Sequence, residues 1–479
     1  MKVRNPRTGQ DDYEITPVDG AGIAAAASRL RANQPHWAAL PIAERCDVML
    51  RWADAIEKHA PAIIEQLTID TGRAGIAAIE VGGVPGTIRR WAEQAPKIID
   101  RNSPSDVPSA NPTVVNSTRL VPFSLFGAIA PWNFPMTLST IDAIPALFAG
   151  CAALIKPSEI TPRFVEPLRA SIDDVPELAA VLEIVVGDAA TGEALVANVD
   201  YICFTGSVAT GRKVAIAAAE AFIPANLELG GKDPMIILAS ANPVEAAKTA
   251  LRASILATGQ ACQSIERLYV ARAIYEPFLE ALVAEAEKVR LNYPDIHQGE
   301  IGPFIFGPQG QKIADQIAEA KQKGARVLTG GNLEILDGGT YLRPTVIADV
   351  TADMAIVRDE SFGPVLPVIS FDNVDKAVSQ ANDSVYGLSA AVLAGSSEEA
   401  QEIAVRLEAG AISINDGSMT AMVWDAENSS FKLSGMGPSR MGESGMTRFF
   451  RKQALIRQTA TPARIQDFAE ENFAEGYLR

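Results

Sequence analysis

Three histidines in 479 residues, His36, His59 and His297, and four cysteines, Cys46, Cys151, Cys203 and Cys262, are too few and too scattered for a metal centre. No CxxC pair occurs and no histidine neighbours a cysteine, which argues against zinc chemistry and against a Cys-His dyad. Free thiols without a disulfide framework suit a reducing cytoplasm. Long apolar runs are missing as well: glycine, proline or charge interrupts each one before it could span a bilayer. Met1 to Gly20 is polar and contains proline, unlike a secretory leader. Positive charge is short, 42 Lys and Arg against 58 Asp and Glu, and the net charge of −16 argues against nucleic acid or an anionic membrane as partner. Tandem repeats and low-complexity stretches are lacking too. What is left is a globular chain, expected in the cytoplasm and long enough for two or three domains.

What is present alternates. Ala21 to Ala26, Ala43 to Lys58 and Glu80 to Ile99 carry helical spacing, and Asn102 to Pro112 reads as a loop before a short strand, Thr113 to Pro122. Apolar runs at Phe126–Ala130, Cys151–Ile155, Leu182–Val186 and Tyr201–Phe204 are each followed by a turn and a helical segment. A second such stretch opens with a helix from Asn242 to about Thr258. It continues through strands at Arg267–Ala271, Val327–Thr329, Val365–Ser370, Ala390–Leu393 and Ala411–Asn415. This alternation predicts an α/β fold with parallel sheets covered on both faces. Ligands in such sheets bind at the carboxyl ends of strands, here Trp132-Asn133, Lys156-Ser158-Glu159 and Thr205-Gly206-Ser207. A strand-like Ala454–Gln458 near the end of the chain needs a partner, and a neighbouring subunit is one candidate.

Several residues can carry chemistry. Cys262 follows Gly259 where the long helix ends, so a loop thiol of lowered pKa is one reading and a small packing residue is the other. Cys151 and Cys203 sit inside apolar runs and read as packing. Glu228, between two leucines and before Gly230-Gly231, is expected to be partly desolvated with a raised pKa, as a general base requires. An exposed edge-strand glutamate is the plainer reading. Asn133 in its strand-to-helix turn is either an oxyanion donor or an Asx turn. Gly206 to Gly211, between a strand and a helix, suits a pyrophosphate but is a weak signal, and an ordinary turn would read the same. Lys156 and Glu159 suit ribose hydroxyls, and a carboxylate there favours NAD over NADP.

The order of these residues resembles the NAD(P)-dependent aldehyde dehydrogenase family. The motifs that carry the resemblance run through almost the whole chain: Pro131-Trp132-Asn133-Phe134-Pro135, Lys156-Pro157-Ser158-Glu159, Phe204-Thr205-Gly206-Ser207, Leu227-Glu228-Leu229-Gly230-Gly231-Lys232, Gly259-Gln260-Ala261-Cys262, Glu360-Ser361-Phe362-Gly363-Pro364 and Asn382 to Leu388. The resemblance implies Cys262 as nucleophile, Glu228 as base for the deacylating water, and Asn133 with the Cys262 N–H as oxyanion hole. It also implies a cofactor site of Ala130, Pro131, Trp132, Lys156, Ser158, Glu159, Thr205, Gly206, Ser207, Gly211, Leu229, Gly230, Glu360 and Phe362. A Rossmann-like cofactor domain (1–105 and 123–232), an α/β catalytic domain (233–446) and small bridging or oligomerisation segments (106–122 and 447–479) follow as expectations. A homodimer or homotetramer is implied.

One stretch departs from the family pattern. Where many members carry Pro-Phe-Gly-Gly before Lys-x-Ser-Gly, this chain reads Ser429-Ser430-Phe431-Lys432-Leu433-Ser434-Gly435-Met436-Gly437, followed by Pro438 to Glu443. That stretch is expected near the substrate entrance and away from the catalytic residues. Phe134, Leu138, Ile141, Trp424 and Phe431, with Ala261 and Gln263 flanking the thiol, suggest an apolar funnel for aromatic or medium aliphatic aldehydes. No cation stands out there. A CoA-acylating enzyme and a catalytically silent protein of the same fold are the alternatives.

Overall fold

In the computed structural model, residues 1–470 are described, and residues 471–479 of the expected bridging segment lie outside them. Three long helices, Gly20–Ala39, Ile42–Thr71 and Ala74–Asn102, come first after an N-terminal hairpin of Lys2–Arg4 and Asp11–Glu14. The first two run past their expected limits through Pro35 and Pro61, and the third holds Pro85 and Pro96 within its expected span. Each proline removes one backbone donor. Burial outweighs that loss, since Trp37, Trp52, Ile56, Ile63, Leu67 and Ile88 are all almost wholly buried. Gly72 ends the second helix in the left-handed region at φ 66°, and a Cβ there would meet Pro303 Cγ at 2.6 Å.

The first sheet has six strands in the spatial order Gly435–Met436, Ala225–Glu228, Tyr201–Thr205, Leu125–Ile129, Ala152–Lys156 and Leu182–Ile184. Gly435–Met436 is antiparallel to its neighbour and the other pairs are parallel. The chain winds outward from Leu125–Ile129 to one side, then returns to the other side at Tyr201. The strand order therefore reverses between Leu125–Ile129 and Tyr201–Thr205, and the crevice at such a reversal is where ligands bind. Continuous apolar burial along these strands fits a sheet covered on both faces.

The second sheet has seven strands, in the order Arg326–Thr329, Thr345–Ala348, Val365–Phe371, Ile265–Ala271, Asp233–Ile237, Ser389–Leu393 and Ala411–Ile414. Only its first pair is antiparallel. The helix Pro243–Ile255, capped by Asn242, covers it and gives way to a 3-10 turn at Leu256–Gly259. The expected loop of 102–112 contains a two-residue strand, Val107–Pro108. The tail strand proves to be Phe450–Gln458, and its partner is Val114–Pro122 of the same chain, in register from Phe450–Pro122 to Gln458–Val114. Among the described residues its other edge pairs with no strand.

Candidate active site

The two sheets meet at three turns. From the first sheet come Ala130–Phe134 after the strand Leu125–Ile129, and Glu228–Gly231 after Ala225–Glu228. From the second comes the loop Gln260–Ser264, which leads into Ile265–Ala271. That loop is launched by two consecutive non-glycine residues in the left-handed region, Ala257 (φ 55°) and Thr258 (φ 63°). Such backbone costs about 1–3 kcal/mol for each residue and persists where surroundings over-determine it. Here Thr258 is held by its hydroxyl, which donates to Gly302 O at 3.3 Å and accepts from Gly302 N at 3.0 Å. Gln260 is fixed by Pro303 and Ile305.

Cys262 is half-buried at the centre of this meeting, while Cys46, Cys151 and Cys203 are buried. The expectation of a lowered thiol pKa is overturned. Burial, with the carboxylates of Glu228 and Asp233, pushes Cys262 up to about 12. At neutral pH Cys262 is therefore a protonated thiol. Glu228 is the first carboxylate acting on it, and burial raises its own pKa above the ordinary value, against the opposing charge of Arg440. The direction of that shift is the one expected of Glu228.

Asn133 is 3% exposed, and its Nδ2 donates to Gln260 O at 3.0 Å, two residues before Cys262. A primary amide carries two N–H donors. One ties the two turns together, and the other is the donor that the expected oxyanion role would use. Asn133→Ala is expected to slow acylation about 10²- to 10³-fold, the usual scale for one oxyanion donor, read as the rate of the first-turnover NADH burst. An unchanged burst rate would remove Asn133 from the site.

The expected cofactor residues line the crevice of the first sheet. Ser207 caps the helix Val208–Glu220, accepting from Thr210 N at 3.3 Å, so the positive end of a thirteen-residue helix opens onto Thr205–Gly211. Gly211 packs under Leu229, where a Cβ would lie 2.6 Å from Leu229 Cδ2. Lys156 is buried and pairs with Glu159 at 3.0 Å; Ser158 Oγ accepts from Ile160 N. Ala130 N is bound to Lys156 O, and Trp132 stands edge-on to Phe362 at 5.4 Å, with Pro131 half-buried between them in sequence. Glu360 accepts from Gly231 N at 3.1 Å, and burial lifts its carboxyl to about 7.

Several residues that hold this geometry had no motif to flag them. Glu266 accepts from Lys232 Nζ, Ser361 N and Phe362 N, and so fixes the turn that presents Phe362. Arg73, 4% exposed, clamps the Asn133 and Ala257 carbonyls with its two terminal nitrogens and lies 5.3 Å from the Phe134 ring centre. The departing stretch 429–437 does touch Glu228, contrary to expectation. Ser430 Oγ donates to Glu228 Oε2 at 3.2 Å, and Gly435 pairs with Glu228 along the sheet edge. A short β-like run at the sheet edge brings it there.

Around the expected funnel, Phe134, Leu138, Ile141, Ala261 and Gln263 are half-buried. Gln263 is tied to the 418–420 turn through Ser418 and Thr420. Phe431 is 44% exposed and pairs with Gly387. Trp424 carries the Arg90 guanidinium at 4.7 Å, so a cation does stand at that border.

A model of the aldehyde dehydrogenase family matches residues 1–455. The chain belongs to that family. Among its relatives is a protein of Mycolicibacterium smegmatis, named provisionally as a succinate-semialdehyde dehydrogenase acting with NADP(+). It is 35% identical over 452 residues, 94% of this chain and 87% of that one. A solved structure from Anabaena variabilis, provisionally the aldehyde dehydrogenase PutA, is 46% identical with TM-score 0.95, covering 97% of this chain and 98% of that one. Betaine aldehyde dehydrogenase of Staphylococcus aureus, solved in complex with NAD+, is 27% identical with TM-score 0.90, covering 98% and 94%. This enzyme is an oxidoreductase with the aldehyde dehydrogenase fold. Among the described residues no helix is long and apolar enough to cross a membrane.

Proposed function

We propose that this enzyme oxidises an aromatic or medium aliphatic aldehyde to the carboxylic acid through a thioester on Cys262, with NAD as acceptor. The convergence of Cys262, Glu228 and Asn133 from two sheets is the observation that carries the reading. With its pKa near 12, the Cys262 thiol gives up its proton to solvent as the sulfur bonds to the aldehyde carbon, which leaves the Glu228 carboxylate ionised for the later water. The carbonyl oxygen then becomes an oxyanion, met by Asn133 Nδ2 and the Cys262 N–H. A nicotinamide dinucleotide bound here supplies the two-electron acceptor that turns the thiohemiacetal into the thioester. Glu228 takes a proton from water, the water oxygen adds to the thioester carbon, and the carboxylic acid leaves as the thiol re-forms.

The residues present fit such a cofactor. The helix N-terminus at Ser207 suits a pyrophosphate, Lys156 and Glu159 suit ribose hydroxyls, and the buried Glu360 suits a second ribose. NAD is favoured because Glu159, paired with Lys156, sets a carboxylate at the proposed ribose site, where it would repel a 2′-phosphate. The two sheets serve as cofactor unit and catalytic unit under this proposal.

A kcat/KM panel of aromatic, aliphatic and semialdehyde substrates with NAD and NADP tests the reading. The highest values are expected for apolar aldehydes with NAD. A preference for a semialdehyde with NADP would overturn the substrate and cofactor assignment and turn attention to Arg90. The open edge of Phe450–Gln458, with Leu455 52% and Ile456 72% exposed, is proposed to pair with a second copy. Ile456→Asp is expected to lower the mass seen by light scattering; an unchanged mass would place the interface elsewhere.

A further inference from the structure

Beside Glu228 lies a buried cluster with more cations than anions. Asp142, 3% exposed, accepts from Arg440 Nη2 at 2.9 Å and from Arg448 Nη2 at 2.5 Å. The two arginine side chains are 8% and 0% exposed. Arg440 Nη2 also donates to Thr205 Oγ1 at 2.8 Å. Thr205 is the register partner of Glu228 on the adjacent parallel strand, and such partners project from the same face of a sheet. The guanidinium is therefore laid alongside the Glu228 side chain. Arg440 Nε and Arg448 Nη1 are buried without a partner. Two guanidinium groups against one carboxylate leave one positive charge, and a buried charge is costly unless paired. Glu228 is the remaining carboxylate that acts on Arg440.

We propose that Arg440 is a positioning residue for Glu228: as the uncompensated member of the Asp142–Arg440–Arg448 cluster, it keeps the base ionised inside the site and sets the pH above which the acyl-enzyme is hydrolysed. The inference rests on the reading of Glu228 as the base. The groups that face Glu228 are Arg440, Arg448, Asp142, the thiols of Cys203 and Cys262, and the hydroxyls of Ser430 and Thr205. Burial raises the Glu228 pKa, Arg440 is the largest opposing influence, and Asp142 adds to the rise. Loss of the guanidinium thus pushes the base further up, so its deprotonated fraction at a given pH falls.

The test measures the NADH burst and steady turnover across pH for the full-length enzyme and for R440M, R440K, E228Q and R440M/E228Q. R440M is expected to keep a burst of one NADH per site. The acid limb of its steady turnover should move up by about one pH unit, a tenfold loss of rate on the acid side. R440K should restore the limb. An unmoved limb in R440M overturns the inference, as does a fall in burst and turnover together at every pH that lysine does not rescue. If R440M does not fold, R440Q keeps a donor toward Asp142 and is read by the same criteria. Loss of turnover in E228Q with an unmoved limb in R440M sinks the Arg440 role alone. Normal turnover in E228Q removes the base itself. The double variant should show no limb beyond that of E228Q.

Discussion

Cys262→Ala is expected to lower aldehyde oxidation by at least about 10⁴-fold, the scale on which removal of a covalent nucleophile acts, while cofactor binding measured by titration stays close to that of the unaltered enzyme. The separation follows from the layout. The crevice residues Ser207, Lys156, Glu159 and Glu360 are held by their own strands and helices, and none depends on the thiol. Alanine at 262 removes one sulfur from a half-buried loop position and leaves its backbone N–H in place. Turnover retained within about tenfold would sink covalent catalysis. A companion result concerns the resting thiol. With its pKa at about 12, iodoacetamide alkylation near neutral pH should be slower than for a free cysteine and rise steadily with pH.

Glu228→Gln is expected to leave a burst of one NADH per site and to reduce steady turnover about 10²- to 10³-fold, within the range a general base contributes. Glutamine preserves the side-chain volume and can still bond Ser430, but it cannot accept a proton from water. The pH profile carries the same information. Because burial raises the Glu228 pKa above the usual carboxylate value, turnover in the unaltered enzyme should fall as pH drops through that raised value, and E228Q should lose this limb. A lost burst in E228Q would place the residue in thiol activation and assign hydrolysis to another group.

Much of this site was legible because its central residues are local signals. Asn133 and Cys262 lie in turns past an apolar strand or a long helix, and Glu228 is the last residue of a short strand, where periodicity stops and a ligand can approach. Their supports were not legible, because they are matters of tertiary distance. Asp142 and Arg440 are 298 residues apart in the chain, and Arg73 reaches Asn133 across 60. No spacing rule connects such pairs. The stretch 429–437 misled for another reason: its place was carried over from the family whose pattern it departs from, whereas Gly435 completes the sheet edge next to Glu228. In the helices the error ran the other way, since prolines that end an isolated helix are tolerated where Trp37, Trp52 and Ile88 anchor the surrounding turns. The hairpin Leu333–Leu336 and Gly339–Leu342 was missed because four-residue strands of mixed polarity carry little pattern.

The partner of Glu228 on the 429–437 stretch, Ser430, lies 202 residues further along the chain. Proteins are made from the N-terminus, and their domains fold in that order. The thiol, the oxyanion amide and the carboxylate all leave the ribosome well before Ser430, Gly435, Arg440 and Arg448 exist. Cys262 is therefore made while Glu228 still lacks its edge strand and the arginines beside it. Under the proposed roles, the groups that serve acyl-enzyme hydrolysis are completed only once the stretch from Ser430 to Arg448 has been made.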